Sequence, residues 1–233
     1  MKMFCFTYAG GNGDFFNGLK KEVSAKGLEL VALDYPGHGT RRKEAFETDF
    51  YGLSLDLLSK MKSMLDIEEE YALMGYSMGS ITATEIVKRI MEEEVMCEPQ
   101  HVFLAAHEPK TLRALENIPD DMQDDVLKER TISFGAVPEE LVDNQTFWRM
   151  YMPLYKADYR MIGRYDFGTL NLSTDIRTTI LYSQTDTPYE EMDKWRKYYK
   201  GDIKFYKFEG NHFFIKEHEK EIAEIILERL PAD

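Results

Sequence analysis

Five short apolar runs, each bounded by polar or turn residues, constrain this chain more than any other feature. They are MFCFTY (3–8), LELVAL (28–33), YALMG (71–75), HVFLAA (101–106) and TTILYS (178–183). Their length is that of strands, and their near-continuous apolarity suits strands covered on both faces of a parallel sheet. A sixth run, IKFYKF (203–208), alternates apolar and charged residues as a half-exposed strand does. Between the runs lie helical stripes. Ala83, Ile86, Val87, Ile90 and Met91 recur at i, i+3, i+4, i+7 and i+8, and segments 51–66 and 219–230 repeat the pattern. Strands alternating with helices predict an α/β fold with a mainly parallel sheet.

Residues 108–170 break that rhythm. They hold acidic clusters, prolines at 119, 138 and 153 and helix-like patches, with no convincing buried strand. A helical insertion between two sheet strands is expected there, serving as a lid or substrate wall. With 233 residues, the chain fits a single domain over 1–233 that carries this insertion.

The formal net charge of −13 argues against general affinity for nucleic acid or anionic membrane, both themselves negative. Cys5 and Cys97 offer neither a disulfide framework nor metal-ligand spacing, and Cys5 reads as a small core residue. The opening apolar stretch is too short for a signal peptide, and no run approaches the length of a transmembrane helix. A cytoplasmic protein is the expectation.

Gly75-Tyr76-Ser77-Met78-Gly79 lies between an apolar strand and an amphipathic helix. That setting is what a nucleophile elbow requires: the glycines let backbone approach closely while the serine hydroxyl projects above the strand end. The Met78 N–H, at a helix N-terminus, is then placed for a developing oxyanion. Serine needs a base. Of five histidines, His101 and His107 bound an apolar run, His218 sits on a charged helical face and His38 in a turn upstream of the serine. His212, in FEGNHFF after the last strand, fits the order Ser…Asp/Glu…His. Asp186, at the end of TTILYSQTD, is the expected orienting acid, since it follows a strand on the serine's side of the sheet. Its rivals are Asp175, which precedes that strand, Asp193, in the following helix, and Asp202, at the wrong end of the last strand. The glycine loop TYAGGNGD fails the dinucleotide fingerprint because Phe16 stands where a glycine is needed, and it lacks the Lys-Ser/Thr of a phosphate-binding loop. Its better use is the second oxyanion donor, with Ala9 the candidate.

With these residues placed, the chain resembles the type II thioesterases that accompany polyketide and nonribosomal peptide synthases, members of the α/β-hydrolase superfamily. FTYAGG is similar to that family's FPxAGG segment, with Thr7 where proline is usual. LDYPGHGTR resembles its PGRGxR turn, with His38 in place of arginine, and GYSMGS its GHSMGA elbow. NIPDDMQDDVL…FGAVPEEL is similar to its lid and MPLYKADYRMIGRYDF to its PxLRADxxxxExY stretch. TDTPYEEMDKWRKY and FEGNHFFI resemble the segments carrying the acid and the histidine. The resemblance implies an α/β-hydrolase fold with a helical lid. It also implies hydrolysis of acyl or aminoacyl thioesters from the phosphopantetheine arm of carrier proteins, by Ser77, His212 and Asp186 with the Met78 and Ala9 amides. No metal or cofactor is needed, and a monomer is expected. HEPK at 107–110 departs from the family where the lid begins. TRRK (40–43) and then KWRKYYK (194–200) are the candidate docking patches for an acidic carrier. A carboxylesterase acting on small esters shares this machinery, and a hydrolase-fold binding module is the alternative from another class.

Overall fold

The computed structural model describes residues 1–66, 69–94, 96–111 and 123–230. Six strands form one sheet: β1 (Lys2–Phe6), β2 (Glu29–Ala32), β3 (Tyr71–Tyr76), β4 (His101–Ala105), β5 (Thr178–Ser183) and β6 (Ile203–Phe208). Each corresponds to one of the apolar runs. The sheet order is β2-β1-β3-β4-β5-β6, and every neighbouring pair is parallel. β3, β4 and β5 are buried along their whole length, whereas β6 lies at the edge and is half-buried, as its alternating charges require.

Helices cover both faces. α2 (Phe50–Met64) and α3 (Met78–Glu93) pack on one side, where Leu53, Leu57, Ile86 and Val87 meet Phe4, Leu73 and Leu104. α1 (Asn17–Ser24) and α6 (Glu219–Arg229) pack on the other, with Leu19, Val23, Ile222 and Ile226 against Met3, Cys5 and Met74. The two sets alternate along the strands because successive side chains point to opposite faces. Asp49 caps α2 by accepting the Gly52 N–H at 2.8 Å.

Among the described residues, the interval between β4 and β5 contains helices and no strand of the sheet. α4 (Asp124–Ser133) is followed by α5 (Gln145–Arg164), which Asn144 caps at the Phe147 N–H. Pro153 lies inside α5 without ending it. Residues 112–122, which include Pro119 and part of the acidic cluster, lie outside the described residues. Trp148, Met152 and Tyr155 of α5 enclose Leu127 and Val137 in a small core separate from the sheet.

This topology fixes where a ligand can sit. The chain steps outward from β1 to β2 and then crosses back to β3, so the winding reverses between β1 and β3. A crevice opens at the carboxyl ends of the strands at such a reversal. The loop after β1 and the turn after β3 are the two that border it.

Candidate active site

β3 runs through Tyr76 and α3 starts at Met78, leaving Ser77 alone at the junction with φ 55° and ψ −118°. A serine with positive φ is strained, and the surroundings hold it there. Its N–H donates to the Ala105 carbonyl at 2.8 Å and its carbonyl accepts the Ser80 N–H at 2.8 Å. The Ser80 hydroxyl, completely buried, bonds the Gly75 and Ala105 carbonyls at 3.0 Å each and accepts the Ala105 N–H at 3.1 Å. Both flanking glycines are required by space. A Cβ on Gly75 would stand 2.2 Å from the Gly79 carbonyl oxygen, and one on Gly79 would stand 2.0 Å from the Phe6 oxygen.

His212 follows β6, and its Nε2 lies 3.0 Å from Ser77 Oγ. Its Nδ1 lies 2.9 and 3.0 Å from the two oxygens of Asp186, which follows β5. A carboxylate accepts only, so Nδ1 carries the proton and Nε2 presents a lone pair to the serine hydroxyl. The three residues are separated by 109 and 26 positions and meet because β3, β5 and β6 are parallel and end on one side. Tyr76 ties the histidine loop to β3 by donating to the His212 carbonyl at 2.7 Å.

Two of the three rival acids are engaged elsewhere. Asp193 binds Arg196, which with the Tyr189 hydroxyl holds its carboxyl below the ordinary range, and Asp202 pairs with Arg229. The rival histidines also lie apart from the serine hydroxyl. His101 faces Thr179 within the sheet, and burial pushes it down to about 3. Burial likewise takes His107 to about 4. His38 is directed at Asp158 on α5, 2.9 Å away.

Ala9 borders the crevice together with Ser77 and His212. The turn Tyr8–Gly11 closes through the Gly11 N–H to the Tyr8 carbonyl at 3.0 Å, with Gly10 at φ +83°. Among the described residues, neither the Ala9 nor the Met78 N–H is taken up by another acceptor. Ala9 lines the crevice, and Met78 opens α3 directly after Ser77. Asp34 steadies the same loop from the other side, accepting the Gly13 N–H at 2.7 Å and the Thr40 N–H and hydroxyl. Burial opposes its charge, but these donors outweigh burial and hold the carboxyl below its usual range.

Two residues of consequence escaped the sequence. Phe134, just beyond α4, lies over the His212 ring with centroids 4.9 Å apart, and with Thr131, Ala136 and Tyr159 it closes the crevice to about 20 Å³. Asp158 reaches the oxyanion loop from α5. Both lie in segments that carry the family resemblance, FGAVPEEL and MPLYKADYRMIGRYDF, but nothing local names their partners, because each acts across a long stretch of chain. A volume of about 20 Å³ holds little more than one water, so Phe134 and its neighbours stand close over Ser77 and His212. Phe134→Ala is expected to raise kcat/KM for long acyl chains relative to acetyl by roughly tenfold, the scale of a few methylene contacts. A chain-length series of acyl thioesters measures that ratio, and an unchanged ratio would dismiss Phe134 as a barrier.

The two candidate docking patches differ. In TRRK, Arg41 is bound by Glu44 and Asp56, while Arg42 and Lys43 are exposed. In KWRKYYK, Trp195, Tyr198 and Tyr199 are buried, and Lys194 and Arg196 pair with Glu191 and Asp193. The aromatic residues anchor the second segment in the core, while its Lys197 and Lys200 are exposed and bond the Tyr198 hydroxyl and the Arg196 carbonyl, so both segments present cations that no acid claims among the described residues.

Residues 1–230 match the family model described as thioesterase domain. The chain belongs to the thioesterase-domain family. This thioesterase is 26% identical over 225 residues to a rat (Rattus norvegicus) S-acyl fatty acid synthase thioesterase, medium chain, covering 94% of this chain and 83% of that protein. It is 31% identical over 221 residues to a Streptomyces griseus protein named probable cadicidin biosynthesis thioesterase, covering 94% of this chain and 59% of the relative. Among solved structures, ClbQ from the colibactin NRPS/PKS pathway superposes with a TM-score of 0.88 at 21% identity, over 98% of this chain and 95% of that one. The fold of the thioesterase is that of the α/β hydrolases, a parallel sheet flanked by helices. Among the described residues, no helix is long and apolar enough to cross a membrane.

Proposed function

We propose that this thioesterase hydrolyses acyl or aminoacyl thioesters carried on the phosphopantetheine arm of carrier proteins, clearing stalled or wrongly primed groups from a polyketide or nonribosomal peptide assembly line. The observation that carries the chemistry is the unbroken chain of bonds from Ser77 through His212 to Asp186, at the strand ends beside Ala9 and Met78. The naming of relatives for such biosynthetic pathways supports the substrate class.

In the first half-reaction the Ser77 oxygen attacks the thioester carbonyl while His212 Nε2 takes the hydroxyl proton. The Asp186 carboxylate stabilises the imidazolium that forms. The Ala9 and Met78 amides receive the negative oxygen of the tetrahedral intermediate. Collapse breaks the C–S bond, and His212 returns its proton to the sulfur. A thiol with a pKa of about 8.5 leaves far more readily than an alkoxide. In the second half, water attacks the acyl-serine with His212 again as base, releasing the acid and restoring Ser77.

The described part of 108–170 acts as the lid in this reading, because Thr131, Phe134, Ala136 and Tyr159 stand over Ser77 and His212. A groove of about 1210 Å³ passes Gly10–Gly13, Arg42 and Tyr151 and offers the arm a route beside the exposed cations of segment 40–43. One chain supplies every residue of the site in this reading, so turnover needs no residue from a second copy.

The test is intact-mass spectrometry of a carrier protein loaded with a short acyl group, run beside the matching acyl-pantetheine and a simple aryl ester. Loss of the acyl mass from the carrier, faster than from free acyl-pantetheine, is the expected result. Rapid cleavage of the aryl ester with the carrier untouched would assign the protein to small-molecule esters instead. No turnover of any of the three would leave a binding module.

A further inference from the structure

Asp158 is an acid in the middle of a lid helix, yet it is completely buried. Its Oδ2 accepts the Gly10 N–H at 2.7 Å and faces His38 Nε2 at 2.9 Å, while its Oδ1 has no partner among the described residues. His38 is itself 2% exposed, and its Nδ1 lies 2.9 Å from the Pro36 carbonyl. The protons follow from the partners. A peptide carbonyl accepts only, so Nδ1 carries a hydrogen, and an ionised carboxylate accepts only, so Nε2 carries one as well. With the carboxylate ionised the ring is an imidazolium, and both directed bonds converge on one oxygen.

That oxygen binds the amide next to the candidate oxyanion donor. Gly10 is the third residue of the Tyr8–Gly11 turn, and Ala9 is the second. A Cβ on Gly10 would overlap Tyr155 of α5 at 2.0 Å, so helix and loop are in direct contact at this point. The turn has two sides: the Gly10 N–H is drawn to α5, and the Ala9 residue is left at the crevice with Ser77 and His212. We propose that Asp158 is a positioning residue for the oxyanion loop, its buried carboxylate, held charged by His38, fixing through the Gly10 N–H the turn that presents the Ala9 amide to the reacting carbonyl. This goes beyond the proposed thioester hydrolysis and rests on it only in taking Ser77 as the nucleophile and the Ala9 amide as an oxyanion donor.

The arrangement has a pH signature. Facing the pair are Asp34 and Tyr35 from the His38 segment, Tyr155 and Tyr159 from α5, and the Phe46 ring. The tyrosines are held neutral, their phenols pushed up by burial. For His38, burial alone would lower the pKa, but the bond and charge of Asp158, the Pro36 carbonyl and the Asp34 charge outweigh it and raise it. A raised histidine pKa means the tie is complete below it and is lost as pH rises through it. Above it Nε2 turns a lone pair toward the carboxylate, and the loop is released.

The test reads the attack of Ser77 on a fluorophosphonate, followed by mass, in the full chain from neutral to alkaline pH. A phosphorus–oxygen bond to Ser77 forms, fluoride leaves, His212 takes the proton, and the phosphoryl oxygen occupies the oxyanion position. This readout does not depend on the thioester substrate. Asp158→Asn and His38→Gln are expected to slow the maximal labelling rate about 10–100-fold with little change in the half-saturating concentration, as removing or misaligning one oxyanion donor does. The wild-type rate should fall on the alkaline side. His38→Arg, a cation that does not titrate there, should recover most of the rate lost in His38→Gln and abolish the alkaline fall. Melting temperatures are measured beside the rates. Wild-type rates in both Asp158→Asn and His38→Gln would overturn the assignment, and so would losses that vanish once each variant is assayed well below its melting temperature. If wild type labels normally at Ser77 but cleaves no thioester, the proposed function fails and this positioning role stands.

Discussion

Ser77→Ala is expected to reduce kcat for thioester hydrolysis by roughly 10⁴–10⁶-fold while shifting the melting temperature by no more than a few degrees. The loss is large because the substitution removes the atom that forms the covalent bond, and neither His212 nor the two amides can replace it. A residual rate above that in water is expected from the crevice and its donors. Stability changes little because the variant keeps the Ser77 N–H bond to Ala105 and the strained φ, losing only a hydroxyl at the mouth of the site. Single-turnover kinetics with an acyl thioester, and mass spectrometry for the acyl-enzyme, check it. A variant that still accumulated an acyl adduct, or kept more than about a hundredth of the rate, would move the nucleophile elsewhere.

The second large effect is structural. Gly79→Ala places a methyl group 2.0 Å from the Phe6 carbonyl oxygen and 2.6 Å from its carbon, both backbone atoms of β1. No side-chain rotation relieves that overlap. Either α3 lifts from the sheet or β1 shifts, and both move Ser77 relative to the loop that begins at Thr7. Overpacking a rigid site costs about 3 kcal/mol or more, which for a chain of this size lowers the melting temperature by about 10 °C. Thermal unfolding followed by circular dichroism measures it. A fall of less than about 2 °C would show that helix and strand yield more easily than their contact implies.

The sheet was legible because it depends on local information. An apolar run is written in consecutive letters, and each of the six became a strand. The elbow was legible for the same reason, since strand, serine and helix adjoin in the chain. Asp186 and His212 could be read from order alone, as parallel strands return every loop to one edge. What could not be read are contacts between segments whose sequence gives no sign of each other. Asp158 sits in MPLYKADYRMIGRYDF, a stretch read only through its resemblance to a family motif, and its partners are 148 and 120 positions away. His38 reads as a turn residue. KWRKYYK was legible in half: its four cations are exposed, as their charge suggests, whereas its aromatic residues fix the segment to the core and neighbouring acids pair with Lys194 and Arg196. Of the prolines in the insertion, Pro153 lies inside α5 with an exposed ring.

The attachment of α5 to the loop after β1 divides the insertion into parts with different freedom to vary. Residues 123–144 meet the site through Phe134 and its neighbours, whereas α5 carries a carboxylate on which the geometry of the β1 loop depends. Exchanging 123–144 between relatives would therefore reshape the acyl compartment and leave the reactive centre as it was. A crossover placed beyond residue 145 would transplant a different carboxylate under the same loop. Chimeras of this protein have a natural seam at Asn144, the cap of α5.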